Sequence, residues 1–240
     1  LDAAAHEASG RYRGDITGQV LVDALIEDAR RLELDYFHDK GVWELRERGE
    51  CHKRTGRPPV AVRWVDVNKG DDINTNYRSR LVARQMRYKG TDSIFAGTPP
   101  PEAVRTVLSL AATNIDGSWK TNWNPKSPQR TQILLIDISR AYFCAKTDPD
   151  KPTYVELPKE HPDHGTKVGL LKQHMYGTLG AADGWQEEYS CTLIALGFKQ
   201  GQSNPCIFRH PLRKTVCAVH GDDFTFVGPA DSLKWAGDEM

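Results

Sequence analysis

The stretch TVCAVHGDDFTFVG, Thr215–Gly228, constrains the fold most. Two apolar runs of strand length flank Gly221, Asp222 and Asp223. Gly-Asp between apolar runs is a hairpin signal, so an antiparallel pair with the aspartates at or beside its bend is expected. Taken alone, the doublet reads as a turn, with a metal site as the sharper alternative. The rest of the chain has to decide between them.

A second strand ends on an acid. TQILLID runs apolar up to Asp137 and leads into ISRAYFCAK, for which a helix is expected. If that strand and the hairpin share a sheet, Asp137, Asp222 and Asp223 converge. Hard divalent cations take oxygen ligands, and Mg²⁺ is held by a few carboxylates plus substrate phosphates. Without a cation, clustered carboxylates repel one another.

Upstream, VAVRWVDV alternates Val60, Val62 and Trp64 on one face, then passes through a polar turn into YRSRLVARQM. That predicts a long hairpin. Arg78 and Arg80 alternate with Tyr77 and Ser79, so both arginines face one side. Either suits a phosphate, because a guanidinium pairs with it bidentately. Lys69, in the turn, is a weaker candidate. Val20, Leu21, Ala24, Leu25 and Leu32 within residues 17–39 predict a helix, with Gly41 as its stop. Residues 42–58 read as a short strand plus loop. Pro101 opens the helical pattern of EAVRTVLSLAATN. AADGWQEEYSCTLIALGF is amphipathic and helical. Strands and helices mix without strict alternation, which predicts an α+β fold with a largely antiparallel sheet.

Charge is balanced overall, 32 basic against 32 acidic residues, but not evenly spread. Residues 1–50 carry 7 basic and 12 acidic side chains, whereas residues 51–90 carry 10 basic and 3 acidic. The basic block could meet phosphates or be a solvated hairpin surface. No apolar run reaches about 20 residues, so no membrane span is expected. The start has no signal-peptide pattern and no Met, as expected of a piece of something longer. The five cysteines show no paired CxxC spacing, and a reduced intracellular setting, cytoplasmic or nuclear, is expected. His161 and His164 have the spacing of a metal pair but sit in a proline-containing loop. Trp119 and Trp123 could stack on bases. His6, His38, His52, His174 and His210 read as structural or surface groups.

The motifs fall in a familiar order. QILLIDISRAYFCAKTDPDKPTYVELP, YRSRLVARQ, IFAGTPPPEAVRTVLSLAAT, the LLKQHMYG…GW…GF…PCIFRH series and VHGDDFTFVG together resemble copia-type retrotransposon reverse transcriptases over roughly residues 20–240. The resemblance implies a polymerase palm and fingers. It divides the chain into a flexible segment 1–16, a fingers-like region 17–130 and a palm-like region 131–240, truncated before the thumb. It implies an RNA-directed DNA polymerase in which Asp137, Asp222 and Asp223 hold two Mg²⁺ ions, or Mn²⁺ in their place. Arg78 or Arg80 would clamp the triphosphate, Tyr142 would lie beneath the sugar and select deoxynucleotides, and Gly177 would serve the nucleotide pocket through its backbone. Partners would be an RNA/DNA template-primer and deoxynucleoside triphosphates. His220 and Gly221 stand where the family usually has tyrosine and a β-branched residue. Gly180, Ala181 and Ala182 replace a Gln-Ser-Pro-like stretch and offer no side-chain donor. The alternative is an inactive, truncated retroelement remnant that at most binds nucleic acid. A metal-dependent nuclease or phosphatase shares the carboxylates but not the basic hairpin.

Overall fold

A computed structural model describes residues 10–71, 73–86, 97–112 and 131–240. The loop tryptophans 119 and 123, and His6, lie outside the described residues. In chain order the strands are β1 (Tyr12–Arg13), β2 (Val20–Leu21), β3 (Trp43–Glu47), β4 (Val62–Asn68), β5 (Tyr77–Ala83), β6 (Thr131–Asp137), β7 (Tyr154–Glu156), β8 (Lys167–Leu171), β9 (Lys199–Gln200), β10 (Ile207–His210), β11 (Thr215–His220) and β12 (Asp223–Pro229). The helices are α1 (Asp23–Asp39), α2 (Arg48–Thr55), α3 (Pro101–Ala112), α4 (Ala181–Ala195) and α5 (Ala230–Glu239). No helix among the described residues is long and apolar enough to cross a membrane.

The chain divides into two compact units. One draws on Leu1–Asp92 and Tyr142–Gly184, the other on Ser93–Ala141 and Trp185–Met240. This differs from the contiguous 17–130 and 131–240 split suggested by sequence. The physical reason is strand pairing. β8 and β7 return to complete a three-stranded antiparallel sheet with β3, in the order β3-β8-β7.

In the first unit β4 and β5 form the expected hairpin, with Asp66 opposite Ser79 and Val65 opposite Arg80. Ser79, Leu81 and Ala83 are buried at alternate positions, while Arg78 is exposed and Arg80 and Val82 are half-buried. Period-two alternation thus turns one face to the core and one outward. The core joins Phe37, Val42, Leu81, Phe143, Val155, Leu171 and Met175. Two expectations fail here. Residues 48–55 form α2 rather than loop; only Cys51 of the helix is buried, so it has no periodic apolar face to betray it. The helix expected after Asp137 is a single 3-10 turn, Ala141–Cys144.

The second unit is built on a five-stranded antiparallel sheet, β6-β12-β11-β10-β9. On one face Phe224 and Phe226 stack, and Trp185 and Tyr189 of α4 pack edge-on to Phe224. Phe198 lies between Phe226 and Trp235 of α5. On the other face α3 inserts Val107 among Val216, Ala218 and Val227. Cover on both faces explains why β11 and β12 read as continuous apolar runs. α3 leaves part of its face open: Ile133 and Leu135 of the edge strand β6 are 47% and 70% exposed.

Candidate functional site

The β11–β12 bend is a two-residue turn. His220 pairs with Asp223, leaving Gly221 and Asp222 as the central residues. Gly221 has φ +66°, and Asp222 is not among the residues of positive φ, which is the pattern of a type II′ turn. A Cβ at Gly221 would meet nothing within 4 Å, so conformation rather than space calls for glycine. Both carbonyls of the turn are held. Trp185 Nε1 donates to Gly221 O at 2.8 Å. Ile138 N donates to Asp222 O at 2.9 Å.

Asp137 is the Cα partner of Asp223 across β6 and β12. The Ile138–Asp222 bond marks that pair as hydrogen-bonded, so the adjacent Asp137–Asp223 pair is the non-hydrogen-bonded kind. In such pairs opposite Cα atoms lie about 4.5 Å apart and the side chains stand closest. Both residues are exposed, on the same sheet face as Leu135 and Ile133. None of Asp137, Asp222 and Asp223 has an ion-pair partner among the described residues. Like charges directly opposite on a sheet are destabilising. Two adjacent carboxylates are hard oxygen donors of the kind that divalent cations take. Among the described residues no three His, Cys, Asp or Glu side chains form a ready ligand set. The structure therefore brings two of the three acids face to face and carries Asp222 beside them on the turn.

The remaining candidates lie in the first unit. The Arg80 guanidinium sits 4.7 Å from the Tyr176 ring centroid, and Tyr142 meets the same ring edge-on at 4.9 Å. Gly177 has φ +81°, and a Cβ there would fall 1.9 Å from Ala83 O. Its neighbours explain the fit: Ala83 N donates to Tyr176 O, and Gln85 N donates to Gly177 O. Arg80, Tyr142 and Gly177 thus meet through Tyr176, which sequence reasoning had noted only as part of a motif. Arg78 points outward and donates to Asn76 Oδ1. Lys69 is exposed in the turn.

Beneath the arginine face, Ser79 Oγ donates to Asp66 Oδ1 at 2.7 Å. Arg30 bridges Asp66 and Glu160, and Trp64 Nε1 donates to Glu160. Burial pushes the Glu160 carboxyl up, but the hydrogen bonds from Trp64 and Arg30 together outweigh it and hold the group below its usual range. His174, read from sequence as structural, accounts for glycine at positions 180 and 184. A Cβ at Gly180 would come within 2.9 Å of its ring, and one at Gly184 within 2.7 Å. Burial depresses the His174 pKa, with Asp183 acting in the opposite sense. His161 lies edge-on to Trp43, and His164 Nδ1 bonds Leu157 O, so both rings serve their loop.

No family model matches the chain. It is 23% identical over 215 residues to a retrovirus-related Pol polyprotein from transposon TNT 1-94 of Nicotiana tabacum, covering 85% of the chain. It is 24% identical over 227 residues to a retrovirus-related Pol polyprotein from transposon RE1 of Arabidopsis thaliana, covering 90% of the chain. The chain is related to a retrotransposon Pol region. It spans 14% of the length of each of these Pol polyproteins.

Proposed function

We propose that the chain is the palm-and-fingers portion of a copia-type reverse transcriptase, an RNA-directed DNA polymerase. The observation that carries this reading is the placement of Asp137 opposite Asp223, two acids from strands far apart in sequence. The kinship with retrotransposon Pol polyproteins supports it. Asp137 and Asp223, with Asp222 on the adjoining turn, would hold divalent Mg²⁺ or Mn²⁺. Such ions supply charge stabilisation to the attacking and leaving oxygens of phosphoryl transfer. In the first unit, Arg80 would bind phosphate oxygens through its fork of donors. Tyr142, propped by Tyr176, would exclude a ribose 2′-hydroxyl by bulk. Gly177, packed against Ala83 O, would serve the nucleotide pocket through its backbone. Template-primer and deoxynucleoside triphosphates are the proposed partners.

The test is primer extension on an RNA template with Mg²⁺. The chain should add deoxynucleotides, and Asp223→Asn and Asp137→Asn should each abolish addition. Extension that survives both substitutions overturns the reading. Gly180, Ala181 and Ala182 favour the inert alternative, since they present no side-chain donor; salt-dependent nucleic-acid binding without incorporation would establish it.

A further inference from the structure

Asp222 follows the one residue of positive φ in the bend, and nothing in its own chemistry fixes its conformation. A II′ turn becomes a I′ turn when its central peptide flips, which moves the second central residue to positive φ. Aspartate tolerates that region better than most residues. The central peptide here is Gly221–Asp222, and its carbonyl oxygen is the atom that Trp185 Nε1 holds at 2.8 Å. A flip would carry that oxygen away from the indole. The donor itself is fixed. Trp185 is 6% exposed at the start of α4, edge-on to Tyr189 at 5.6 Å and to Phe224 at 6.2 Å.

We infer that Trp185 is a positioning residue for the acid site: its indole N–H locks the Gly221–Asp222 peptide and so sets where the Asp222 carboxylate points relative to Asp137 and Asp223. This rests on the proposed reading of those acids as a cation site. Trp185 touches no substrate atom in this account; it acts through the turn.

The experiment titrates Mn²⁺ into the chain and follows free Mn²⁺ by electron paramagnetic resonance. Asp223→Asn should lose the site. Trp185→Phe keeps an aromatic ring and deletes the donor. It should bind Mn²⁺ about 3- to 10-fold more weakly, as expected for one hydrogen bond, with an unchanged circular-dichroism spectrum. Tyr189→Phe, which keeps the ring against Phe224 but does not reach the turn, should bind as the unsubstituted chain does. Equal Mn²⁺ affinity in a folded Trp185→Phe variant overturns the inference and leaves the cation site standing. No Mn²⁺ binding by the unsubstituted chain overturns both. If Trp185→Phe does not fold, the indole ¹⁵N–H resonance of Trp185 replaces it. Slow exchange with D₂O and a shift on Mg²⁺ addition support the inference, and rapid exchange with no shift overturns it.

Discussion

The two principal hairpins handle charge in opposite ways. In β4–β5 the acid lies inside: Asp66 is buried, and Arg30 and Ser79 satisfy its oxygens. The cations Arg78 and Arg80 stand on the outward face. In β11–β12 the buried positions carry no charged side chain, and acids are confined to the bend, where Asp223 lies opposite Asp137. A buried charge that is fully paired is part of the scaffold, whereas like charges set opposite each other on a sheet cost stability. On the proposed function, the contrast separates structural charge from functional charge within one chain.

That separation can be broken by experiment. The largest effect should come from Arg30→Met. It leaves Asp66 buried without its partner, and removing one member of a buried pair costs about 3–5 kcal/mol. Urea unfolding should show the loss; a change under 1 kcal/mol would make the inner network of β4–β5 as dispensable as a surface pair. Gly177→Ala should follow, at roughly 2–3 kcal/mol, because positive φ is strained for alanine. Its Cβ would also overlap Ala83 O. Thermal melting of the variant checks this.

The pH dependence sharpens the comparison. His174 binds its proton less readily folded than unfolded. Its contribution is therefore intact above the unfolded value of about 6.5 and is lost as pH falls through that value toward the depressed folded one. The chain should lose more stability between pH 7.5 and pH 5.5 than a His174→Gln variant, measured as urea midpoints. A parallel fall in both would remove His174 from the account. The smallest effect should be of opposite sign. Asp223→Asn relieves a like-charge pair and should stabilise the metal-free chain by about 0.2–1 kcal/mol. A destabilised Asp223→Asn would mean that the acid is held by contacts other than a cation.

Much of the second unit was legible because its local signals agree. Gly221 marked the bend, TQILLID read as a strand up to Asp137, and Pro101 opened α3. The direct pairing of Asp137 with Asp223 was expected only conditionally, since sequence does not state which strands are neighbours. The first unit was less legible. The β3-β8-β7 sheet joins segments far apart in the chain, and α2 buries a single side chain. After Asp137 the chain turns through Arg140 at φ +55°, and the expected helix shrinks to one 3-10 turn. The contacts of Trp185 and Tyr176 were not legible because a tryptophan on a helix or a tyrosine in a loop does not announce its acceptor or its neighbour. Gly177 was expected to act through its backbone, and its positive φ and close approach to Ala83 O are a packing requirement of the fold.

β6 meets the rest of its sheet along one side only, yet it supplies half of the acid pair. Its alignment is kept by Ile136 and Leu134 opposite Phe224 and Phe226. A shift of two residues would set Leu135 or Ser139, depending on its direction, against Asp223 while every carboxylate remained in the sequence. An insertion or deletion within Thr131–Asp137 would therefore separate Asp137 from Asp223 as surely as loss of an aspartate, and a residue-by-residue inventory of acids would not reveal it.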